Sequence, residues 1–467
     1  MTVRDTYSAW KRVLVYGLGA SGAAAARFLR AREVAVLGVD ERSAGELELA
    51  DLQRESGLEL ALGAEPVSIP DDIDAIVVSP GVPLDRPILT AARGAGIPIV
   101  AEVELAYAFL DGPVVGITGS NGKSTTTAMT GALLEAAGLD AEVCGNIGVP
   151  LVSVVEGPPG RIFVVELSSF QLETVSGFRP KAAALLNLSP DHLDRHRNLE
   201  GYLQAKSRVF ARQEASDLAV LNADDPLVRE VGTRARKRFF SRLGRVDDGC
   251  YLDGDRILEV EPATRPRELF KRSDVAPQGE HNLENAMAAA LLARAMGASP
   301  TAFATALARF EALPHRMEVV ALMDGVQWID DSKGTNVSAV VKSLGSMPDG
   351  RVHLILGGRG KGESFELLAE PVSHKARRVY LIGETADELS TVLEGKAEIE
   401  AAVDLERAVA RASAEAGAGD TVLLSPACTS FDQYRNFAAR GDHFQELVRA
   451  LVARAGAGTE PGGALDG

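Results

Sequence analysis

The sequence predicts an α/β protein in which three domains each carry a mostly parallel sheet. Short apolar runs alternate with Ala- and Leu-rich stretches along the chain, and two glycine-rich turns each follow such a run. Continuous apolar strands separated by helices are typical of buried parallel sheets. The length of 467 residues suits about three domains. The apolar runs read RVLVYG, DAIVVSPG, VVGITG, IFVVELSS, AAALLNLS, RVHLILGG, RVYLIGE and DTVLLSPA.

Two turns mark the predicted domain boundaries. The first lies near 110–113, in FLDGPVVG, and the second near 313–316, in FEALPHRME. The tail from about 455 to 467 is rich in small residues and is expected to be flexible. We therefore predict a Rossmann-like N-terminal domain over 1–110, a central P-loop ATPase-like domain over 111–312 and a Rossmann-like C-terminal domain over 313–467.

Composition narrows the possible partners. The net charge is −16 and no basic block occurs, which argues against nucleic acid as the main partner. The three cysteines are scattered and form no CxxC pair, so a disulfide framework or structural zinc site is not expected, and a reducing cytoplasm is the default. Neither a signal-peptide pattern nor a membrane-length apolar run occurs. We expect a cytoplasmic monomer that binds no membrane.

The first glycine-rich turn contains a dinucleotide fingerprint. Gly17, Gly19 and Gly22 form G-x-G-x-x-G after the strand VLVY, and Asp40 ends the next strand. An acid at that place commonly binds a ribose hydroxyl. Three interpretations stay open: a tight turn without ligand, a nicotinamide cofactor, or a uridine diphosphate conjugate. SPGVP, at 79–83, could add backbone donors for the same anion.

The second turn, TGSNGKST, predicts a phosphate loop with unusual spacing. The common pattern places Gly five residues before the Gly-Lys pair, but Ile117 occupies that position. Strand, loop, Lys-Ser and helix nevertheless follow in the order that phosphate binding needs. Backbone N–H groups and the helix N-terminus would hold phosphates, Lys123 would reach their oxygens, and Ser124 would ligate Mg²⁺.

Two further polar clusters end strands of the central domain. Glu166 follows IFVV, and His192 lies in LSPDHLDRH after AAALLN. Ligand residues collect at the carboxyl ends of parallel strands, and an acid there suits Mg²⁺. His192 and His196 have a zinc-like spacing, but the Glu expected beside the first histidine is absent. A solvated His196 is the simpler interpretation.

A lysine interrupts the apolar face of the helix predicted over NLEGYLQAKSRVFAR. One interpretation of Lys206 is a snorkelling side chain with a buried stem and a wet head. The other is a desolvated amine, readily neutral and open to chemical modification. The face comprises Leu199, Tyr202, Leu203, Lys206, Val209 and Phe210.

The third domain also gathers polar groups after its strands. Lys361 follows RVHLILGG, Ser430 follows DTVLLSPA, and Phe437 lies in the next predicted helix. Each segment alone would be an ordinary loop, but together they favour a site for a small anion. VQWID leads into Asp331, Lys333 and Thr335.

The loop TGSNGKST resembles the phosphate loop of the Mur ligases, which share its spacing. The resemblance covers nearly the whole chain and is closest to the family member that adds D-glutamate, because GLGASG opens the first domain and the DNPR motif of the next ligase is absent. It implies an ATP-dependent acid–amino-acid ligase that joins D-glutamate to UDP-N-acetylmuramoyl-L-alanine through an acyl phosphate, in peptidoglycan precursor synthesis. The further matching segments are ELSSFQLE, SPDHLD, GEHNLENAMAA, LPHRME, DDSKGTN, GGRGKG and SPACTSFDQYRNFAARGDHF.

The resemblance also implies substrate contacts. The positions matched to the uridine and diphosphate sites are Ala20, Ser21, Asp40, Arg42, Gly81 and Asn146. Ala20 is smaller than the usual residue, so only its backbone would contribute. The positions matched to the D-glutamate site are Lys333, Thr335, Lys361, Ser430 and the backbone N–H of Phe437.

For ATP and metal, the resemblance implies two Mg²⁺ ions, with Mn²⁺ as a substitute. Ser124 and Glu166 would hold one ion, and His192 and a carbamylated Lys206 the other. The implied catalytic residues are Lys123, His192, Lys206 and Lys333. The positions matched to ATP binding are Gly119, Ser120, Asn121, Gly122, Lys123, Ser124, Thr125, Asn282 and Asn285 (adenine), Arg316 (phosphate) and Asp331 (ribose).

Two other classes of protein compete with this interpretation. A nicotinamide-dependent oxidoreductase would explain the first domain but leaves the phosphate loop without a role. A non-catalytic ATP-driven switch would explain the phosphate loop but has no need of Glu166, His192 and Lys206.

Overall fold

The computed structural model of the chain confirms an α/β fold built on three sheets. It divides into two compact units, Met1–Leu188 with Glu200–Phe310, and Ser189–Leu199 with Glu311–Gly467. The first unit holds two sheets and the second holds one. The predicted boundaries near 110 and 312 fall between the sheets, and they remain a prediction. The structure describes residues 3–45, 47, 57–66, 68–276 and 279–457.

The first sheet is parallel throughout and has the order β3-β2-β1-β4-β5. The strand order reverses beside β1, so a crevice forms at the carboxyl ends of β1 and β4, the usual place for a ligand. The strands are β1 (Arg12–Tyr16), β2 (Ala35–Asp40), β3 (Leu58–Leu62), β4 (Ala75–Val78) and β5 (Ile99–Ala101), and the helices are α1 (Val3–Ser8), α2 (Ala20–Arg30), α3 (Pro87–Gly94) and α4 (Glu102–Tyr107).

The fingerprint turn between β1 and α2 requires glycine at two places. Gly17 has φ +87°, a left-handed conformation that glycine adopts without strain. A Cβ on Gly22 would lie 1.8 Å from the carbonyl oxygen of Gly17. Ser79, at the end of β4, donates its hydroxyl to that same oxygen at 2.6 Å. The turn therefore brings the ends of β1 and β4 together.

The second sheet has the order β14-β13-β12-β11-β10-β9-β6-β8-β7. Strands β6 to β12 are parallel to one another, and β13 and β14 add an antiparallel edge. α10 packs against α5 and against β9 to β12. The strands are β6 (Val114–Thr118), β7 (Ala141–Gly145), β8 (Ile162–Glu166), β9 (Ala182–Leu185), β10 (Leu218–Asn222), β11 (Arg236–Ser241), β12 (Gly249–Asp253), β13 (Arg256–Val260) and β14 (Arg267–Lys271), and the helices are α5 (Lys123–Ala136), α6 (Ser169–Leu172), α7 (Leu193–His196), α8 (Leu199–Ser207), α9 (Pro226–Arg229), α10 (Glu280–Ala295) and α11 (Phe303–Ala308).

The third sheet has the order β15-β16-β20-β17-β18-β19, and β15 is its one antiparallel strand. Helix α16 continues to Ala457, beyond the predicted start of the flexible tail, and 458–467 lie outside the described residues. The strands are β15 (Glu318–Met323), β16 (Val326–Asp330), β17 (Val352–Gly357), β18 (Ala376–Ile382), β19 (Glu398–Val403) and β20 (Thr421–Leu424), and the helices are α12 (Val337–Gly345), α13 (Ala369–Lys375), α14 (Ala386–Val392), α15 (Leu405–Glu415) and α16 (Phe437–Ala457).

The length and hydropathy of the helices bear on whether one of them could span a membrane. Within the part of the chain that the structure describes, every helix is too short or too polar to cross a bilayer.

Two buried acids attach helix α4 to the second sheet domain. Glu104 accepts hydrogen bonds from the backbone N–H of Gly177 at 2.6 Å and of Phe178 at 3.0 Å. Glu102 accepts one from the N–H of Val152 at 2.6 Å, while its second oxygen has no hydrogen-bond partner among the described residues. Burial raises the pKa of Glu102 from 4.5 to about 7. Above that pH the fold must keep a poorly solvated carboxylate.

We expect Glu102→Gln to stabilise the protein at pH 8 but not at pH 4.5. Since the folded-state pKa is raised, the contribution of Glu102 to stability is fully present below 4.5 and is lost as pH rises through about 7. The difference between these two pKa values corresponds to a change of about 3 kcal/mol at most in the free energy of unfolding. Thermal unfolding at both pH values measures it, with exposed Glu135→Gln as the matched control. If the difference in unfolding temperature between wild type and Glu102→Gln is equal at both pH values, the pKa of Glu102 is not raised in the folded state.

Candidate active site

The phosphate loop connects β6 to α5 and depends on two glycines. Gly119 and Gly122 have φ +155° and +82°, and a Cβ on Gly122 would lie 2.2 Å from Oδ1 of Asn285. Asn187, just after β9, accepts the N–H of Ser120 at 3.0 Å on its carbonyl and that of Asn121 at 2.8 Å on Oδ1. This bracing places the loop at the start of α5, where N–H groups without intrahelical acceptors suit phosphate.

Two lysines converge on the carbonyl groups of this loop. Nζ of Lys123 donates to the oxygens of Gly119 at 3.0 Å and Ser120 at 2.9 Å. Nζ of Lys206 donates to the oxygen of Gly119 at 2.8 Å. The sequence predicted a phosphate-binding role for Lys123 but did not connect Lys206 with the same loop. The structure thus brings both amines to one turn.

Lys206 is a buried side chain and not a snorkelling one. The residue is 1% exposed, and its Nζ lies 4.3 Å from the ring centre of Tyr202, one turn earlier. α8 ends at Ser207, and a 3₁₀ turn continues the apolar face through Val209 and Phe210. The structure therefore favours the second interpretation, an amine removed from water. Its carbamylation stays a prediction.

Glu166 and Ser124 supply oxygen atoms near the ends of the central strands. Glu166 ends β8 and is 1% exposed, and Ser124 lies in the first turn of α5 and is 5% exposed. Nδ2 of Asn146 donates to Oε1 of Glu166 at 2.8 Å, which fixes the carboxylate. Asn146, predicted to lie near the substrate diphosphate, thus also orients a candidate metal ligand. A carboxylate and a hydroxyl fit Mg²⁺, which prefers oxygen ligands.

His192 belongs to the second compact unit. It has φ +54° and directly precedes the short helix α7, and its Nε2 lies 3.5 Å from Oδ1 of Asp191. Its predicted pairing with Lys206 on a metal stays a prediction. The interpretation of His196 as solvated is wrong, because that residue is 8% exposed.

A cavity of about 480 Å³ lies at the switch point of the first sheet. Asp40 does not present an open carboxylate there, since it accepts hydrogen bonds from the N–H of Leu18 at 2.6 Å and from Arg42 at 2.8–2.9 Å. Although burial opposes it, Arg42 lowers the pKa of Asp40. The pair therefore offers a fixed guanidinium to a ligand. The predicted residues that line the cavity are Ala20, Ser21, Asp40, Arg42 and Gly81.

The sequence reasoning missed a second arginine in this cavity. Arg86 lines its wall and is held by Glu41, with 2.8 Å between Nη2 and Oε1. The hydroxyl of Tyr16 donates to the same glutamate at 2.8 Å. An acid directly after Asp40 was the only signal in the sequence. Two positioned cations suit a ligand that carries phosphate groups.

The two asparagines predicted to flank adenine have different surroundings. Asn285 is 4% exposed and accepts the hydroxyl of Thr126 at 3.2 Å, beside Gly122. Asn282, three residues earlier, lies in the first turn of α10 and is half-buried. Asn285 therefore supports the phosphate loop, and the contacts of both asparagines with adenine stay a prediction.

Asp331 follows β16 in the second unit and is deeply buried. Its Oδ2 accepts the hydroxyl groups of Ser343 and Ser425, each at 2.7 Å. Burial raises its pKa to about 6. Arg316 lies near enough for its charge to oppose that rise in the pKa of Asp331. The structure thus brings two predicted ATP-binding residues together, and the serines orient the carboxylate.

Two of the residues predicted for D-glutamate, Lys333 and Phe437, meet at the start of α16. Nζ of Lys333 lies 3.7 Å from the ring centre of Phe437, and Phe437 is the first residue of that helix, so its N–H has no intrahelical acceptor. Ser430 is 2% exposed, and its hydroxyl has no hydrogen-bond partner among the described residues. Thr335 is half-buried two residues after Lys333. A buried, unsatisfied hydroxyl suits a ligand-binding role.

Arg440 connects the loops of this region and was not anticipated. It is 1% exposed and donates to the carbonyl groups of Ser332 at 2.9 Å and Cys428 at 3.1 Å. Burial lowers its pKa to about 10. The segment NFAARGDHF contained the signal, a charged residue on the buried side of a helix, but its partners lie far away in sequence.

Lys361 also has an unanticipated partner. Its Nζ contacts the carboxylate of Asp191, and Nδ2 of Asn336 donates to the other oxygen of that carboxylate at 3.0 Å. The sequence placed the Asp191 segment with the central domain. In the structure, 189–199 and the third sheet belong to one compact unit, which contains this contact.

The fold and these sites together define an ATP-dependent ligase of three α/β domains. Family models match in order along the chain: the Mur ligase MurD-like N-terminal domain at 11–101, the Mur ligase middle domain at 117–293, and the Mur ligase glutamate ligase domain at 315–428. The chain belongs to the Mur ligase family, and within it to the UDP-N-acetylmuramoylalanine–D-glutamate ligases. This similarity extends beyond single motifs to almost the full length.

Two relatives illustrate that extent. The UDP-N-acetylmuramoylalanine–D-glutamate ligase of Koribacter versatilis is 42% identical, over 95% of this chain and 98% of its own. The ligase of the same name from Pelotomaculum thermopropionicum is 44% identical, over 94% and 98%. Among solved structures, UDP-N-acetylmuramate-alanine ligase from Thermotoga maritima superposes with a TM-score of 0.61 at 18% identity, covering 94% of this chain and 99% of that one. That likeness concerns the fold.

Proposed function

We propose that this protein uses ATP to join D-glutamate to UDP-N-acetylmuramoyl-L-alanine, forming an amide bond in peptidoglycan precursor synthesis. The observation that carries the proposal is the near full-length similarity, at 42% and 44% identity, to ligases of that name. The site geometry agrees, because each reactant finds a suitable group of residues. A uridine diphosphate conjugate, ATP and an amino acid are all anionic, and all three candidate sites contain fixed cations.

The uridine end of the substrate lies in the cavity of the first sheet. Arg42, fixed by Asp40, faces the nucleotide, and the start of α2 at Ala20 and Ser21 offers backbone N–H groups to it. Gly81, where a Cβ would meet no atom within 4 Å, leaves room for the diphosphate. The reacting carboxylate of the L-alanine end then extends toward the central domain.

ATP binds with its phosphates on the loop 119–125. The helix N-terminus and Lys123 neutralise the phosphate charge, while Asn282 contacts the base. Arg316 and Asp331 contribute from the third domain, to phosphate and ribose. The residues that hold Mg²⁺ are Ser124 and Glu166 for one ion, and His192 and carbamylated Lys206 for the second. When bound, Mg²⁺ or Mn²⁺ neutralises the charge that develops on the transferred phosphate.

The chemistry is a phosphoryl transfer followed by an acyl transfer. The γ-phosphate of ATP passes to the carboxylate of the L-alanine end, which makes an acyl phosphate and releases ADP. The neutral amine of D-glutamate attacks the carbonyl carbon of that acyl phosphate, and the tetrahedral intermediate loses a proton from the nitrogen and collapses to the amide with release of phosphate. Positioning and charge neutralisation dominate such a transfer, and Lys123 and Lys333 supply pre-placed cations for it.

The amino acid lies at the start of α16. Its two carboxylates face Lys361, the hydroxyl groups of Thr335 and Ser430, and the backbone N–H of Phe437. This donor set suits a dicarboxylic acid. The D configuration rests on the similarity to D-glutamate ligases.

We expect phosphate release with UDP-N-acetylmuramoyl-L-alanine and ATP to be stimulated by D-glutamate, and by L-glutamate at least about a hundredfold less, because a mirror-image substrate leaves buried polar groups unpaired. A panel of D- and L-amino acids in a phosphate-release assay measures this. Equal rates with both glutamates would refute the assignment of D-glutamate as the substrate. ATP hydrolysis at a rate that does not change when amino acids are added would identify an ATP-driven switch instead of a ligase.

A further inference from the structure

The cation predicted for D-glutamate faces two acids in this structure. Lys361 is 8% exposed, contacts the carboxylate of Asp191, and has its Nζ 3.6 Å from Oε1 of Glu363. Asp191 and Glu363 are 5% and 8% exposed. Water therefore does little to screen these three groups from one another.

The two acids are stabilised to different extents. Asp191 accepts hydrogen bonds from Lys361 and Asn336. Its carboxylate is therefore paired with an ammonium and with an amide donor. Glu363 accepts one bond, from the N–H of Val337 at 3.2 Å, and its Oε1 has no hydrogen-bond partner among the described residues. Of the two, Glu363 is the poorer site for a negative charge.

The net charge of this cluster depends on Glu363. With Asp191 ionised and Lys361 protonated, the cluster is neutral when Glu363 is protonated and carries one negative charge when it is ionised. In the first state an incoming carboxylate can contact the Lys361 ammonium and meets no net negative charge. In the second state it meets an unscreened like charge, which weakens binding.

We propose that Glu363 is a specificity-determining residue of the amino-acid subsite, which binds a dicarboxylic acid well only while Glu363 is a neutral carboxylic acid. The assignment rests on the proposed function, since it takes Lys361 as the partner of a D-glutamate carboxylate. In the neutral form the proton of Glu363 is available to the Asp191 carboxylate as a hydrogen bond. This leaves the Lys361 ammonium for the ligand.

The surroundings of Glu363 support the neutral form. Burial, and then the charge of Asp191, raise the pKa of Glu363 to about 8. The groups that face it are Asp191, Lys361 and the buried thiol of Cys428, whose own pKa burial raises to about 11; His192 lies beyond Asp191. Because the folded-state pKa is raised, Glu363 is mostly neutral at pH 7 and ionised at pH 9.

The test compares KM for D-glutamate between the wild type and Glu363→Gln at pH 7 and pH 9, at saturating ATP and UDP-N-acetylmuramoyl-L-alanine. The amide is neutral at both pH values. We expect the ratio of wild-type to variant KM to rise about tenfold between them, the size of an added like charge at short range, while the ratio of kcat values changes less than about twofold. The ratio cancels titration of the D-glutamate amine and of other groups.

Glu366→Gln, an exposed glutamate in the same segment, is the matched control and should follow the wild type. If Glu363→Gln does not fold, Glu363→Ala removes the same charge and gives the same readout. A KM ratio that stays constant between pH 7 and 9 overturns the proposal while leaving the ligase activity intact. Absence of D-glutamate-stimulated phosphate release by the wild type would overturn the proposed function itself, and this assignment with it.

Discussion

Lys206→Ala is expected to lose at least about a thousandfold in kcat. The amine is buried, and it contacts the carbonyl of Gly119 in the phosphate loop at 2.8 Å. A buried amine is readily neutral, and a neutral amine can add CO₂. The carbamate replaces a cation by an anion with two oxygens, the ligand type that Mg²⁺ prefers. On the proposed assignment, alanine would remove this ligand and leave the second metal ion without its anionic partner.

Three measurements separate this chemistry from a loss of folding. Thorough removal of CO₂ and bicarbonate should lower wild-type activity, and adding bicarbonate should restore it. Lys206→Glu, which supplies a permanent carboxylate, should be more active than Lys206→Ala and should not respond to bicarbonate. Lys271→Ala, at an exposed lysine of the same unit, should behave as the wild type. Full activity of Lys206→Ala at saturating Mg²⁺ would show that the lysine holds no metal.

Lys123→Ala is expected to lose about a hundredfold or more in kcat, the usual result of removing one pre-placed charge stabiliser. The Lys123 ammonium is anchored by the carbonyl groups of Gly119 and Ser120. It therefore meets the phosphates without reorganisation. Because the charge on those oxygens shifts during transfer, the loss should appear in kcat more than in the KM for ATP.

Steady-state phosphate release and thermal unfolding test this prediction together. Lys123→Arg keeps the charge but replaces a compact ammonium by a planar fork, so it should recover only part of the rate. The alanine variant should unfold within a few degrees of the wild type, because the side chain is only half-buried. Near-normal turnover in a folded Lys123→Ala protein would remove this residue from the mechanism.

Local patterns determined the elements from which the sites are built. The strand endings at Asp40 and Glu166 follow from apolar runs that stop at a charged residue, and the structure confirms both. The phosphate loop followed from a strand, a glycine turn, Lys-Ser and a helix in succession. Such signals are short-range, since glycine geometry and apolar periodicity are properties of a few neighbouring residues.

One glycine of the phosphate loop is required by a contact that only the structure shows. Asn285 packs against Gly122 so closely that a Cβ there would lie 2.2 Å from its Oδ1. The sequence could indicate that glycine was present, but not that an asparagine of α10 required it. The same contact gives Asn285 a role in supporting the loop, while its place beside adenine stays a prediction.

Where the partners of a charged side chain are distant in sequence, its burial and its pairing were determined by the tertiary structure alone. The apolar face of its helix was equally compatible with a solvent-exposed or a buried amine at Lys206. The structure shows a buried amine, which donates to the carbonyl of Gly119, 87 residues away. Lys361 was recognised as a cation, whereas its acids Asp191 and Glu363 became visible only when α7 and the loop after β17 came together. Burial and pairing determine how a charge behaves, and both depend on which elements pack together, which periodicity in one sequence does not specify.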